Sequence, residues 1–158
     1  NTWLLATVDN RNAGITFRVD FAITPELTIQ YYGSPFVSIG KYTDFKEVTD
    51  PLDDKYDNRF SIVVPEENGL MYDFDSDDDG IVDYSIFNPD FNYQQFRSNL
   101  VLRWEYRAGS VLYLVWAQDR TAYEPAGEFD FNSGFRNMFD VFPGNIFMIK
   151  FSYWFSLQ

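Results

Sequence analysis

The chain has 158 residues with a formal net charge of −12, no Cys and no His. Disulfide frameworks and thiolate chemistry are thereby excluded, and the commonest general base and transition-metal ligand is missing. Aromatic residues make up 20% of the chain, and no continuous apolar run approaches 18 residues, which excludes a transmembrane helix and leaves the strand as the only element able to cross a bilayer.

The charge is concentrated. From Thr43 to Gln95 there are fifteen Asp or Glu against Lys46, Lys55 and Arg59, while acids and bases balance in the remainder. An acidic insertion is thus carried on a neutral framework. It disfavours nucleic acid and anionic surfaces as partners.

In chain order, Thr2 to Asp9 is a strand candidate, followed by turn residues Asp9 to Gly14. Ile15 to Ile23 alternates cleanly, with Ile15, Phe17, Val19, Phe21 and Ile23 on one side and Thr16, Arg18, Asp20 and Ala22 on the other. Thr24-Pro25-Glu26 is a tight turn. Leu27 to Tyr32 begins the next strand, which Gly33-Ser34-Pro35 interrupts as a bulge or bend before Phe36 to Tyr42. Within the insertion, taken as 43–95, Phe60 to Val64 and Gly69 to Phe74 are expected to form a hairpin.

Phe96 to Arg120 organises the rest. Two apolar-rich arms of about ten residues fold back through Arg107-Ala108-Gly109-Ser110, the length a tilted strand needs to span a bilayer. In the first arm Leu100, Leu102, Trp104 and Tyr106 share a face opposite Arg97, Asn99, Arg103, Glu105 and Arg107, with Val101 on the charged side. In the second arm either face suits lipid, so its register stays open. A second long loop is read at 121–145, with a helical turn near Phe135 to Phe139. Ile146 to Phe155 closes the chain with Phe147, Ile149, Phe151, Tyr153 and Phe155 on one face.

These patterns predict an all-β fold: an antiparallel transmembrane β-barrel segment of about six strands, the C-terminal part of a larger barrel, with long extracellular loops. Connections 24–26 and 107–110 are short while 43–95 and 121–145 are long, which puts the short turns and the C-terminus on the periplasmic side of an outer membrane. Six strands fall short of the usual minimum of about eight. The missing strands are expected before Asn1 or from other chains. The start at Asn1, without an initiating Met or signal segment, reads as a fragment or a processed product.

Asn88-Pro89-Asp90-Phe91-Asn92, Phe96-Arg97-Ser98-Asn99, Leu102-Arg103-Trp104-Glu105-Tyr106-Arg107 with Gly109-Ser110, Val115-Trp116 and the ending Ser152-Tyr153-Trp154-Phe155 carry a resemblance. They resemble the C-terminal barrel region of large outer-membrane proteins of Bacteroidota that pair an N-terminal family-nine carbohydrate-binding-like domain with a C-terminal domain of unknown function. The resemblance covers the last 70 or so residues well and the rest loosely. Ala108 stands where the family has Pro, and Ser156-Leu157-Gln158 extends past the terminal Phe. The family implies an outer-membrane location and a barrel, and it supplies no catalytic residues.

Three sets of residues are candidates for function. Asp75, Asp77, Asp79 and Asp83 occupy positions 1, 3, 5 and 9 of a calcium loop, with Gly80 at position 6 and the Ile81 carbonyl at position 7; position 12 is Ile86, so the bidentate carboxylate is absent. Arg18, Asp20, Arg97, Arg103, Glu105 and Lys150 either line a lumen and select solutes or pair across strands in a filled barrel. Tyr42, Tyr56, Tyr72, Phe74, Tyr84, Tyr93, Tyr123, Phe129 and Phe131 either stack on glycans, seat a protein partner, or pack the loops. No spacing marks Glu105 with Asp20, or Glu66 with Glu67, as a catalytic pair, so an enzyme is not expected. The alternative is a soluble secreted all-β module binding calcium and carbohydrate.

Overall fold

A computed structural model describes residues 2–125 and 131–156. It is all-β, with 67% strand and antiparallel sheets. The elements are β1 (Leu4–Gly14), β2 (Phe17–Thr24), β3 (Leu27–Val48), β4 (Phe60–Ile62), β5 (Glu66–Asn68), β6 (Met71–Phe74), β7 (Tyr84–Phe87), β8 (Phe91–Arg107), β9 (Ser110–Pro125), α1 (Phe131–Asp140) and β10 (Gly144–Ser152). The large sheet has the order β1-β3-β8-β9-β10, with β2 and β4 also paired to β3, and β5-β6-β7 form a separate small sheet. No closed barrel is found among the described residues.

Several expected boundaries move. Asp9 to Gly14 is not a turn: β1 continues to Gly14, its Arg11 bridging Asp9 at 2.8 Å, because strand pairing overrides the turn preference of Asp9, Asn10 and Asn12. The break falls instead at Ile15-Thr16, opposite the Ser34-Pro35 step, where the Ile15 amide donates to the Pro35 carbonyl. Hence β1 and β2 share one position beside β3, and the sheet has five successive positions where about six strands were expected. β3 runs through Gly33-Ser34-Pro35 without interruption. Phe60–Ile62 pairs with β3, and Met71–Phe74 pairs with β5 and β7, so the hairpin expected between them does not form. The strands also invade both long connections, which span 49–90 rather than 43–95 and 126–143 rather than 121–145.

The chain divides into two compact units. The first holds residues 2–11, Ser38–Asn92 and 124–125; the second holds Asn12–Val37, Tyr93–Tyr123 and 131–156.

The first unit is built around a small water-excluding core. Phe45, Val63, Tyr72 and Phe74 are buried, with Leu4, Tyr42, Tyr84 and Ile86 packed against them. The Phe45 ring meets Tyr72 and Phe74 edge-on at 5.6 and 5.5 Å, and Phe74 stacks on Tyr84 at 5.0 Å. Asp90, itself buried, ties this core to the strand above it: its carboxylate accepts the Tyr42 amide at 2.6 Å and the Tyr72 hydroxyl at 3.3 Å. Burial, followed by the Asp90 and Glu67 charges, pushes the Tyr72 phenol up to about 12.

The second unit is an up-and-down meander of β2, the first half of β3, β8, β9 and β10. Its two tight turns, at Pro25-Glu26 and at Ala108-Gly109, lie at one end, since the Glu105 amide donates to the Glu26 carbonyl at 2.8 Å. Trp154, beyond β10, comes to the same place, its amide donating to Ser110 Oγ at 3.0 Å. Gly109 has φ of 76°, and a Cβ there would stand 3.1 Å from Trp154 Cβ. Gly109→Ala is expected to lower stability by about 1–2 kcal/mol through the left-handed backbone penalty, read as a drop in denaturant midpoint at unchanged slope.

Candidate functional site

Two features of the chain carry chemistry: the two faces of the meander, and the loop between β6 and β7.

The register assigns the faces. Phe17 pairs with Gly33, Val19 with Tyr31 and Phe21 with Ile29. On the other flank Phe147 pairs with Trp116, Ile149 with Leu114 and Phe151 with Leu112. Directly paired residues share a face, and Tyr106 stacks on Phe151 at 5.6 Å, which brings Leu100, Leu102, Trp104 and Tyr106 to the same side. The face left open in the second arm is therefore that of Leu112, Leu114 and Trp116. Across five adjacent strands it is almost wholly apolar, and it is exposed: Ile149 is 75% accessible and Phe147 74%. Leu100 to Tyr106 and Phe17 to Ile23 each span about 20 Å of strand at ~3.4 Å per residue.

Aromatic rings edge this band at both ends. Near the tight turns Trp104 meets Tyr106 at 6.1 Å, and Tyr153 lies 6.4 Å from Phe155. At the other end Phe17 packs on Tyr31 at 5.8 Å and across Gly33, while Trp116 stacks on Phe147 at 6.0 Å. The Trp116 indole N–H donates to Asn145 Oδ1 at 2.8 Å, keeping its polar edge turned away from the band. Beyond this row the same face becomes polar at Gln118 and Arg120, and Arg120 donates to the Phe139 and Val141 carbonyls at the end of α1. Phe96 and the fully buried Met138 are covered there.

The opposite face carries every charge of the meander's inner positions. Arg18 pairs with Tyr32 and Asp20 with Gln30. Arg97 bridges Asp119 at 3.0 Å, Arg103 bridges Glu105 at 2.9 Å, and Lys150 lies 5.8 Å over the Tyr113 ring. Of the six candidate lumen residues, Arg18 and Asp20 share a cavity of about 410 Å³ with Gln30, Tyr31, Tyr32, Asn99 and Val101. Arg97, Arg103 and Glu105 are spent on cross-strand or local pairing. The Arg103-to-Ser110 run also has a structural use, since Glu105 Oε1 accepts the Gly109 amide at 3.1 Å and holds the turn.

In the β6–β7 loop the structure brings together three of the four expected ligands. Carboxylate oxygens of Asp75, Asp77 and Asp83 lie within 4.8 Å of one another, a set that one metal ion could bridge. The loop is folded by its own side chains. Asp75 accepts the Gly80 amide at 2.8 Å and the Asp79 amide at 3.2 Å, and Asp83 accepts the Ser76 amide at 2.8 Å. Asp79 is turned to the Ile81 amide at 2.8 Å. Asp78 and Gly80 have φ of 60° and 86°, the sharp reversal that a position-6 glycine supplies. The electrostatics differ within the cluster. The Gly80 amide holds Asp75 below the usual carboxylate range, whereas the Asp79 charge, with lesser contributions from Asp83 and Asp75, raises Asp77.

Of the loop aromatics, Tyr72 and Phe74 are core residues and do not reach solvent, and Tyr42 and Tyr84 are half-buried against them. Tyr93 packs edge-on to Phe36 at 6.4 Å. Tyr56 and Tyr123 are exposed. Phe129 and the Phe131 side chain lie outside the described residues. Sequence reasoning missed the structural role of Asp90, which it placed in the acidic count and in the Asn88-to-Asn92 run; the local signal was the Asn88-Pro89-Asp90 step, in which Asn88 Oδ1 accepts the Asp90 amide at 2.9 Å.

Protein families, curated proteins and solved structures yield no match to this chain. No helix among the described residues is long and apolar enough to cross a membrane.

Proposed function

We propose that this chain is the C-terminal wall segment of an outer-membrane β-barrel whose acidic, calcium-binding region lies outside the cell. One observation carries the reading: a five-strand apolar face, exposed and edged by aromatic rows, backs onto a charged face. In a soluble sandwich the apolar face is covered by a second layer and the polar face meets water. Here the apolar side of the meander's central band is the open one. A transmembrane barrel has this arrangement, with an apolar band about 25 Å tall between aromatic girdles and a polar interior. The tight turns and the C-terminus then lie in the periplasm, and the connections 49–90 and 126–143 outside.

The role is structural, binding or transport, and not catalytic. The bilayer is the first partner. The exposed rings of Tyr56 and Tyr123 offer stacking surfaces to a glycan or protein partner. Fractionation of the parent protein tests the proposal. It is expected in the outer membrane, with a gel mobility that changes on boiling in detergent; a detergent-independent soluble product would favour the secreted calcium- and carbohydrate-binding module.

Calcium is the ion the loop fits best, because all its donors are hard oxygens. Asp75, Asp77 and Asp83 would hold it, with Asp79 beside them and the Ile81 carbonyl within the same turn. Calorimetric titration of the whole protein is expected to show saturable Ca²⁺ binding that Asp77→Ala abolishes; identical heats in the two proteins would remove the site. Binding should also weaken as pH falls. A bound cation needs Asp77 ionised, and its raised pKa means protons begin to compete at a pH above the ordinary Asp range. Asp75, with its lowered pKa, stays ionised to lower pH and holds the loop after Asp77 has lost its charge. Circular dichroism of the apo protein should therefore change at lower pH than calcium affinity does.

A further inference from the structure

The direction of the strands limits what completes the wall. Proceeding from the long-connection end to the tight-turn end, β2 descends, β3 ascends, β8 descends, β9 ascends and β10 descends. Five positions in an up-and-down meander leave both edges pointing the same way. The outer edge of β2 has no strand partner among the described residues, and neither has that of β10. In hydrocarbon an open edge leaves its backbone N–H and C=O groups without partners, so both edges must be paired there.

Copies of this segment cannot do it. If copies formed a ring with a common orientation, the descending β10 of one would lie against the descending β2 of the next, a parallel pair, whereas strands of outer-membrane barrels are antiparallel throughout. Inverting alternate copies restores antiparallel pairing but sends their long acidic connections to the opposite side of the membrane. Direct closure of β2 onto β10 within one chain fails for the same reason of direction, and five strands are too few.

Resting on the membrane reading above, we infer that the wall is closed by an odd number of further strands of the same polypeptide, at least three, the one beside β10 ascending. Five plus an odd number gives the even total that single-chain bacterial barrels have, and three is the smallest number that reaches about eight. The ascending neighbour must follow the side-chain alternation of β10. Apolar residues belong opposite Phe147, Ile149 and Phe151, and polar or small ones opposite Lys150 and Ser152, because a one-residue slip would turn its charged face to lipid.

Site-specific photocrosslinking in cells expressing the full-length protein tests this. Benzoylphenylalanine is placed singly at Phe147, Ile149 and Phe151 of β10, and at Leu114 of the interior strand β9, and adducts are mapped by mass spectrometry. The β10 probes are expected to label one peptide outside residues 1–158, the attachment site moving about four residues toward its N-terminus as the probe moves from 147 to 151. Labelling of Phe17–Thr24, labelling of a different protein, a shift in the opposite sense, or lipid adducts alone at all three positions would overturn the inference. The Leu114 probe reports separately on the membrane reading. Lipid adducts there sustain it even if the β10 result fails, and their absence removes both.

Discussion

Leu114→Arg is expected to prevent the wall from assembling in a bilayer, while Asn99→Arg, which adds the same charge on the other face, is expected to be tolerated. Leu114 lies opposite Ile149 in the middle of the apolar band, between the Trp116–Phe147 stack and the Tyr106–Phe151 stack. An Arg at the midplane of a transmembrane barrel destabilises it by about 2–4 kcal/mol, which reduces the folded-to-unfolded ratio roughly 30- to 700-fold at 1.4 kcal/mol per tenfold. Asn99 lines the polar cavity that also contains Arg18 and Asp20, so a guanidinium there has space, with the Asp20 carboxylate to offset the like charge of Arg18. Its expected effect is under ~1 kcal/mol, the range of exposed ion pairs. The measurement is the fraction of heat-modifiable protein after refolding into lipid vesicles, for both variants in parallel. If Leu114→Arg refolds as well as the native chain and no longer needs detergent, the apolar face does not meet lipid, and the soluble module becomes the better account.

Much of this contrast could be read from the sequence because strand periodicity is local. The alternation in Ile15 to Ile23, Leu100 to Tyr106 and Phe147 to Phe155 is a property of consecutive residues, and a period of two assigns faces before any partner is known. The second arm defeated the same reasoning. Leu112, Leu114 and Trp116 compete there with Val111, Tyr113 and Val115, and only pairing to Phe147, Ile149 and Phe151 decides between them. Pairing is non-local information. It also explains the misplaced turn at Asp9 to Gly14, where the residues favour a reversal but β3 offers a ladder, and the hairpin expected from Phe60 to Phe74, where β4 found its partner in β3. In the acidic loop the ligand spacing could be read from the sequence because position, glycine and carboxylates fall within nine residues. The role of Asp90 could not, since its partner Tyr42 lies 48 positions away.

The second large effect is expected at Phe74. It is fully buried, packed against Phe45 and stacked on Tyr84, and it ends the strand that leads directly into the acidic loop of Asp75, Asp77 and Asp83. Phe→Ala in a packed core typically lowers stability by about 3–5 kcal/mol, from lost transfer energy and the cavity left behind. The first unit has only four core residues in this cluster, so removing one ring leaves few contacts to hold Tyr72, Val63 and Phe45 in place. Phe74→Ala should therefore expose the connection 49–90 to limited proteolysis while the meander keeps its heat-modifiable behaviour. Calcium binding should fall with it, because Asp75 follows Phe74 directly and the Asp83 amide donates to the Phe74 carbonyl at 2.8 Å. Phe74→Leu, which keeps an apolar side chain in the same space, should show both effects in weaker form. Intact proteolytic resistance and unchanged calcium heats in Phe74→Ala would mean that the aromatic cluster does not position the loop, and that Asp75, Asp77 and Asp83 are gathered by the hydrogen bonds of the turn alone.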